Sequence, residues 1–228
     1  MNTSLTDSLS QIINTPTVSP VELSVFDLAT KGGWIMIVLL ALSVLAIYLF
    51  IAKLLQIKAA GREDHSFMDR IKDYIHEGKI DAAIRLCEDR DTPYARMIHK
   101  GITRLGRPMN DILVTIENTG NIEIGRLENG MALLATIAAG APMIGFLGTV
   151  TGMIRAFFDM ANAGQAGVDV TLLSNGIYEA LVTTVAGLIV GIITLFAYNF
   201  LVARLDKVIN QMETKTLAFM DLLNEPAV

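Results

Sequence analysis

The sequence predicts an all-α integral membrane protein with three transmembrane helices, its N-terminus outside, its C-terminus inside, and long helical extensions in the cytoplasm. Three observations predict it. Of 228 residues, 52% are hydrophobic and only 18% charged, and the mean hydropathy of +0.49 is too apolar for an ordinary soluble domain. Three uncharged stretches are each long enough to cross a hydrocarbon core as a helix. Lysine and arginine gather at one side of those stretches and are scarce at the other.

In chain order, residues 1–31 read as an extracytoplasmic tail. Its Ser, Thr, Asn and Pro content up to about Pro20 predicts flexibility, and Val21 to Leu28 predicts a short helix at the outer interface. Residues 32–52, GGWIMIVLLALSVLAIYLFIA, form the first span. A cleavable signal peptide fits less well, because what precedes is not a short basic segment and no small-residue cleavage pattern follows. Residues 53–128 form a cytoplasmic helical domain with breaks expected at Gly78, Thr92-Pro93 and Gly106-Arg107-Pro108. Within it Ile71, Tyr74 and Ile75 mark one apolar face, and Ile80, Ala83, Ile84 and Cys87 another. The second span occupies 129–158, an outer loop 159–175, the third span 176–203 and a cytoplasmic helix 204–228. Leu201, Leu205, Val208, Ile209, Met212, Met220 and Leu223 keep helical spacing, so the last span is expected to run on past the membrane. Trp34, Tyr48 and Tyr198 lie near span ends, where aromatic belts form.

Orientation follows from Lys53, Lys58 and Arg62 after the first span and Arg204 and Lys207 after the third, against Lys31 alone before the first. The connection 156–178 has no Lys or Arg. Arg155 opposes the rule, and can reach the headgroups or pair with Asp159.

Several functions lose support at once. A net charge of −5 and a pI near 5.2 give no basic surface for nucleic acid. The single Cys87 rules out an intrachain disulfide, and His65, His76 and His99 show no ligand spacing, so neither a metal nor another cofactor is expected. No phosphate loop, H-E-x-x-H or G-x-S-x-G is present, and an enzyme is not expected.

The spans carry small and polar residues in pattern. Gly145, Gly148 and Gly152 stack on the second span, and Gly187 and Gly191 follow Gly176, Ala180 and Thr184 on the third. Such residues let helices approach where lipid gives no hydrophobic drive for association, within the chain or between copies. Pro142 interrupts the backbone ladder in mid-span and reads either as a hinge or as a static kink. Thr149 and Thr151 fall at about the depth of Glu179, Thr183 and Thr184, and this cluster suggests a hydrated pathway. Each threonine has the plainer alternative of bonding back to its own helix, and Glu179 that of a carboxylate reaching the rim. Glu179 is the only Asp, Glu, His or Lys within a span, so a complete proton relay needs a carboxylate from another subunit.

The segments APMIGFLGTVTGMIRAF and GIYEALVTTVAGLIVGIITLFAYN, about 20 residues apart, resemble the MotA/TolQ/ExbB proton-channel family, the ExbB branch most closely. The resemblance covers the two-span hairpin specifically and the topology more generally. It implies a multi-pass subunit of the bacterial inner membrane that forms a homopentamer around the membrane helices of an ExbD-like dimer. That dimer carries a membrane aspartate, and the complex uses protons to drive a TonB-like energy transducer. By the family's motifs Thr149, Glu179 and Thr184 match pore positions and Pro142 the proline ahead of the glycines. Thr183 and Arg155 depart from the pattern. The alternatives are a TolQ-like motor for envelope integrity, a MotA-type stator, which resembles a four-span plan, and a non-conducting membrane scaffold.

Overall fold

The computed structural model describes residues 33–62, 65–162 and 170–224. The expected outer tail and its interfacial helix, residues 163–169 of the expected outer loop and the last four residues lie outside these, while 159–162 and 170–175 of that loop are helical. Every element among the described residues is helical: α1 (Gly33–Ala60), α2 (His65–His76), α3 (Ile80–Glu88), α4 (Pro93–Ile102), α5 (Met109–Glu128), α6 (Met131–Asn162) and α7 (Val170–Asn224).

Three stretches, Gly33–Ala60, Met109–Asn162 and Leu173–Asn224, are long and apolar enough to cross a membrane. Their outward surfaces agree with that. Leu40 and Val44 on α1, Met143, Phe146 and Ile154 on α6, and Ile189, Ile193 and Phe196 on α7 are all exposed. A continuous apolar shell of this kind is unstable in water and at ease in lipid. The α7 helix runs 55 residues without a break, about 80 Å at the usual helical rise. Its first part packs along α6 and α1, and its last part reaches α4 and α5 in a polar lobe.

The expected breaks inside the lobe are present. Gly78 takes φ +70° between α2 and α3, Pro93 opens α4 at its first turn, and Pro108 precedes α5. One break was not expected. Asn129 and Gly130, the latter at φ +86°, separate α5 from α6, so the helix α6 begins at Met131. Only glycine takes that φ without strain, and the turn lets α5 fold back against the lobe.

One hydrophobic core fills the lobe. Phe67 and Ile71 of α2, Ala83 and Cys87 of α3, Ile98 of α4, Ile116 of α5 and Phe219 of α7 are all nearly inaccessible. Phe67 meets Tyr94 edge to face at 5.2 Å. The spacing on α7 expected to be apolar supplies Leu201, Leu205, Val208, Met212 and Met220 to the same core. A second, small cluster of Ile35, Leu39 and Ala141 fixes the N-terminal half of α1 to α6.

Burial pushes the Cys87 thiol up to about 12 from 9.0. Between those two values the unfolded chain releases a proton that the folded chain keeps, so this residue weakens the fold as pH rises through that window and is neutral below it. Native protein is expected to react with iodoacetamide at pH 8 at least about 100-fold more slowly than denatured protein, since only the thiolate of an accessible sulfur attacks. Equal rates, read by mass spectrometry of the alkylated chain, would contradict this packing.

Candidate functional site

The site is built on the contact between α6 and α7, the most extensive helix pairing among the described residues. Small residues set its closeness. A Cβ on Gly187 would stand 2.6 Å from the Ala141 carbonyl oxygen and 2.9 Å from the Gly145 Cα. A Cβ on Gly145 would stand 2.8 Å from the Thr183 carbonyl oxygen, and one on Gly152 3.0 Å from the Ala180 Cβ. Gly148 lies directly against the Thr183 side chain. Lower in the contact, Gly191 receives the Pro142 ring, whose Cδ would be 2.6 Å from an added Cβ. Pro142 leaves the Ala138 carbonyl without its helical donor, and that oxygen faces Gly191 as well. The glycines singled out in the sequence therefore all face a helix of the same chain, and the proline is seated in a glycine notch. Gly140, by contrast, faces open space.

The hydroxyls divide into two kinds. Thr149 donates to the Phe146 carbonyl at 2.6 Å and Thr151 to the Leu147 carbonyl at 2.9 Å, both back to their own helix. Thr183 is 2% exposed and donates to the Ala180 carbonyl at 2.7 Å, with the Gly145 carbonyl a longer 3.4 Å away. Thr184 alone reaches across as its main bond, donating to Gly145 of α6 at 3.1 Å. A hydroxyl that has given its proton to a carbonyl still offers lone pairs, so the half-buried Thr149 and Thr184 present acceptors to a water or a hydrated proton.

Glu179 sits one turn before Thr183 on α7, in a cleft with Trp34, Thr151, Gly152, Arg155 and Thr183. The cleft leaves about 10 Å³, room for one water at most. Its carboxylate lies against Gly33, where the chain turns into α1 at φ +62° and any side chain would collide with Oε1. Among the described residues neither Glu179 nor Arg155 closes an ion pair, so of the two options for Arg155 the pairing with Asp159 is not made. The structure thus joins Glu179 to Thr151, Thr183 and Arg155, joins Thr184 to the Gly145 backbone, and leaves Thr149 outside the Glu179 cleft.

Sequence reasoning missed two features. Gly33 was readable only as part of a Gly-Gly pair ahead of an apolar run. The second is a charge network in the lobe, where Glu123, 3% exposed, receives Arg96 at 2.6 Å and Arg126 at 2.7 Å. Arg96 also pairs with Asp91, and its hydrogen bond to Glu123 holds the guanidinium above its ordinary pKa. Only the Glu123 carboxylate is buried; the Arg96 and Arg126 side chains are 37% and 64% exposed, so solvent screens both pairs. The spacing of Glu123 and Arg126 was visible; the approach of Arg96 from α4 was not.

The profile describing the MotA/TolQ/ExbB proton channel family matches residues 89–214, which include α4 to α6 and most of α7. The chain is 34% identical over 185 residues to the putative biopolymer transport protein ExbB-like 1 of Synechocystis, covering 76% of this chain and 68% of that protein. It is 25% identical over 191 residues to the putative ExbB homolog of Methanothermobacter thermautotrophicus, covering 83% and 67%. Similarity to the biopolymer transport protein ExbB of Neisseria gonorrhoeae is higher, 42%, over 95 residues, or 41% of this chain and 42% of that protein.

Proposed function

The chain belongs to the MotA/TolQ/ExbB proton channel family, and from that premise we propose that it is an ExbB-like stator subunit of a proton-driven motor in the inner membrane. In this reading the N-terminus is outside, the polar lobe is cytoplasmic, and five copies surround an ExbD-like dimer. The motor energises TonB-dependent uptake across the outer membrane. ExbB-named relatives favour this over a TolQ-like motor.

The observation that carries the reading is the pairing on α7 of an ionisable Glu179 in a polar cleft with Thr184, whose hydroxyl crosses to α6. Protons gather near Glu179 and pass through water held by the acceptor oxygens of Thr149 and Thr184 to an aspartate on the partner. Neutralising that aspartate lowers its cost of facing an apolar wall, so the inner dimer turns against the ring before the proton leaves inward. This chain is the wall and the track, not the carrier. Thr183 belongs to the helix contact in this scheme, because its hydroxyl is buried and bonded within the hairpin.

The test is native mass spectrometry of the complex taken gently from its own membrane, with each co-purifying chain sequenced. Five copies with a single-span partner bearing a membrane aspartate are expected, together with a TonB-like protein. A Tol-like protein in its place would move the assignment to the other branch. A monomer, or a ring that repeatedly lacks an acidic partner, would favour the scaffold.

A further inference from the structure

At the lobe end of the membrane helices, α1 and α7 part around a cavity of about 420 Å³. Its floor is apolar, from Leu54, Ile57 and Phe200, and its rim carries Lys58, Arg204 and Lys207. No carboxylate among the described residues lines it. Among the described residues none of the three cations closes an ion pair. Arg204 is held in place, with its guanidinium carbon 5.2 Å from the centre of the Phe200 ring.

The cavity also sits at a defined depth. Phe196, one turn earlier on α7, belongs to the exposed apolar shell, whereas Asp206 and Lys207 are exposed and charged one or two turns later. The boundary between lipid tails and headgroups therefore passes close to Phe200 and Arg204. Space at the polar mouth depends on Gly61, where an added Cβ would stand 3.0 Å from a Val208 methyl and 3.7 Å from Gln211 Oε1.

We propose that this cavity binds one anionic phospholipid, its phosphate and headgroup among Lys58, Arg204 and Lys207 and the root of an acyl chain on Leu54, Ile57 and Phe200. Apolar floor, cationic rim and boundary depth match the three parts of such a molecule, and a basic pocket between membrane helices is a known way to hold an acidic headgroup. A free phosphate would satisfy the rim but not the floor. A zwitterionic lipid would satisfy the floor but bring its own cation against the rim. The inference rests on the three spans alone and is independent of the motor reading.

The full chain, in the oligomeric form it keeps after gentle extraction, is mixed with phosphatidylglycerol or with phosphatidylcholine of the same acyl chains, and retained lipid is counted by native mass spectrometry. The wild type is expected to retain phosphatidylglycerol at least about tenfold better, as two or three cations at a membrane surface predict. The preference should fall to within about twofold in Lys58→Gln/Lys207→Gln, which keeps Arg204. It should also fall in Gly61→Met, which fills the mouth and leaves every charge in place. It should survive in Lys100→Gln/Arg107→Gln, which removes two exposed charges elsewhere in the lobe. Equal retention of both lipids by the wild type would overturn the proposal, and so would an unchanged preference in the first two variants. Loss of the preference in the third would reduce it to overall charge, and displacement of the lipid by millimolar inorganic phosphate would show a free-anion site instead.

Discussion

Replacing Thr184 by valine is expected to cut proton-driven work at least about tenfold, equivalent to about 1.4 kcal/mol on the limiting barrier, while leaving the fold in place. The substitution keeps the branched shape and removes one bond, the 3.1 Å contact to the Gly145 carbonyl. A neutral hydrogen bond of this kind contributes about 1 kcal/mol to stability, too little to unfold the hairpin. What is lost is the acceptor oxygen that, in the proposed pathway, holds water between α6 and α7. Two neighbours serve as controls. Thr183→Val removes a hydroxyl that is buried and bonded to Ala180, and Thr194→Val one bonded to Val190 at 2.7 Å. Both should retain most activity, because each hydroxyl is bonded to a carbonyl of its own helix and that of Thr183, although it borders the Glu179 cleft, is buried. Glu179→Gln should resemble Thr184→Val by removing the charge that gathers protons at the cleft. The readouts are proton flux into vesicles holding the complete complex and energised uptake in cells. Wild-type rates in both Thr184→Val and Glu179→Gln would sink the pathway and leave a scaffold.

How far this site was legible in the sequence depends on the geometry each inference needed. Three spans, the continuation of α7 and the faces of the lobe helices follow from period and composition alone, and the structure has them. The small residues announced close packing, but not which partner they face; that depends on the register of α6 against α7, fixed where Gly145 meets Gly187. The same register separates Thr183 from Thr184. Both hydroxyls come within reach of the Gly145 carbonyl, but Thr183 has its shorter bond to Ala180 of its own helix while Thr184 has its bond across to α6, and the sequence does not say which does which. The Asn129-Gly130 turn was hidden because an uncharged stretch reads as continuous apolar helix unless the glycine's φ is known. Glu123 was hidden for the opposite reason, since a charged residue reads as exposed until Arg96 is brought to it from a different helix.

Substituting Gly187 should have the largest structural effect, and the comparison with Gly140 makes the cause testable. In Gly187→Ala the new methyl would lie 2.6 Å from the Ala141 carbonyl oxygen and 2.9 Å from the Gly145 Cα. Both are backbone atoms of a helix, so neither can swing aside as a side chain would, and the helices must separate. Overpacking of this kind typically costs about 1–3 kcal/mol for added methylenes, and Gly187→Leu should exceed that range and prevent the hairpin from closing. Separation also stretches the Thr184 to Gly145 bond, so function should fall with packing. Gly140→Ala adds the same methyl on α6 with nothing within 4 Å. It should be neutral or slightly stabilising, since alanine is better than glycine in a helix by up to about 1 kcal/mol. The measurement is the midpoint of thermal unfolding in one detergent for all three variants, with flux assayed in parallel. Equal loss in Gly140→Ala and Gly187→Ala would mean that glycine is needed for helix flexibility at both places, and not for the approach of α6 to α7. A stable Gly187→Leu would mean that these two helices do not meet as described, and the cross-helix placement of Thr184 would fall with them.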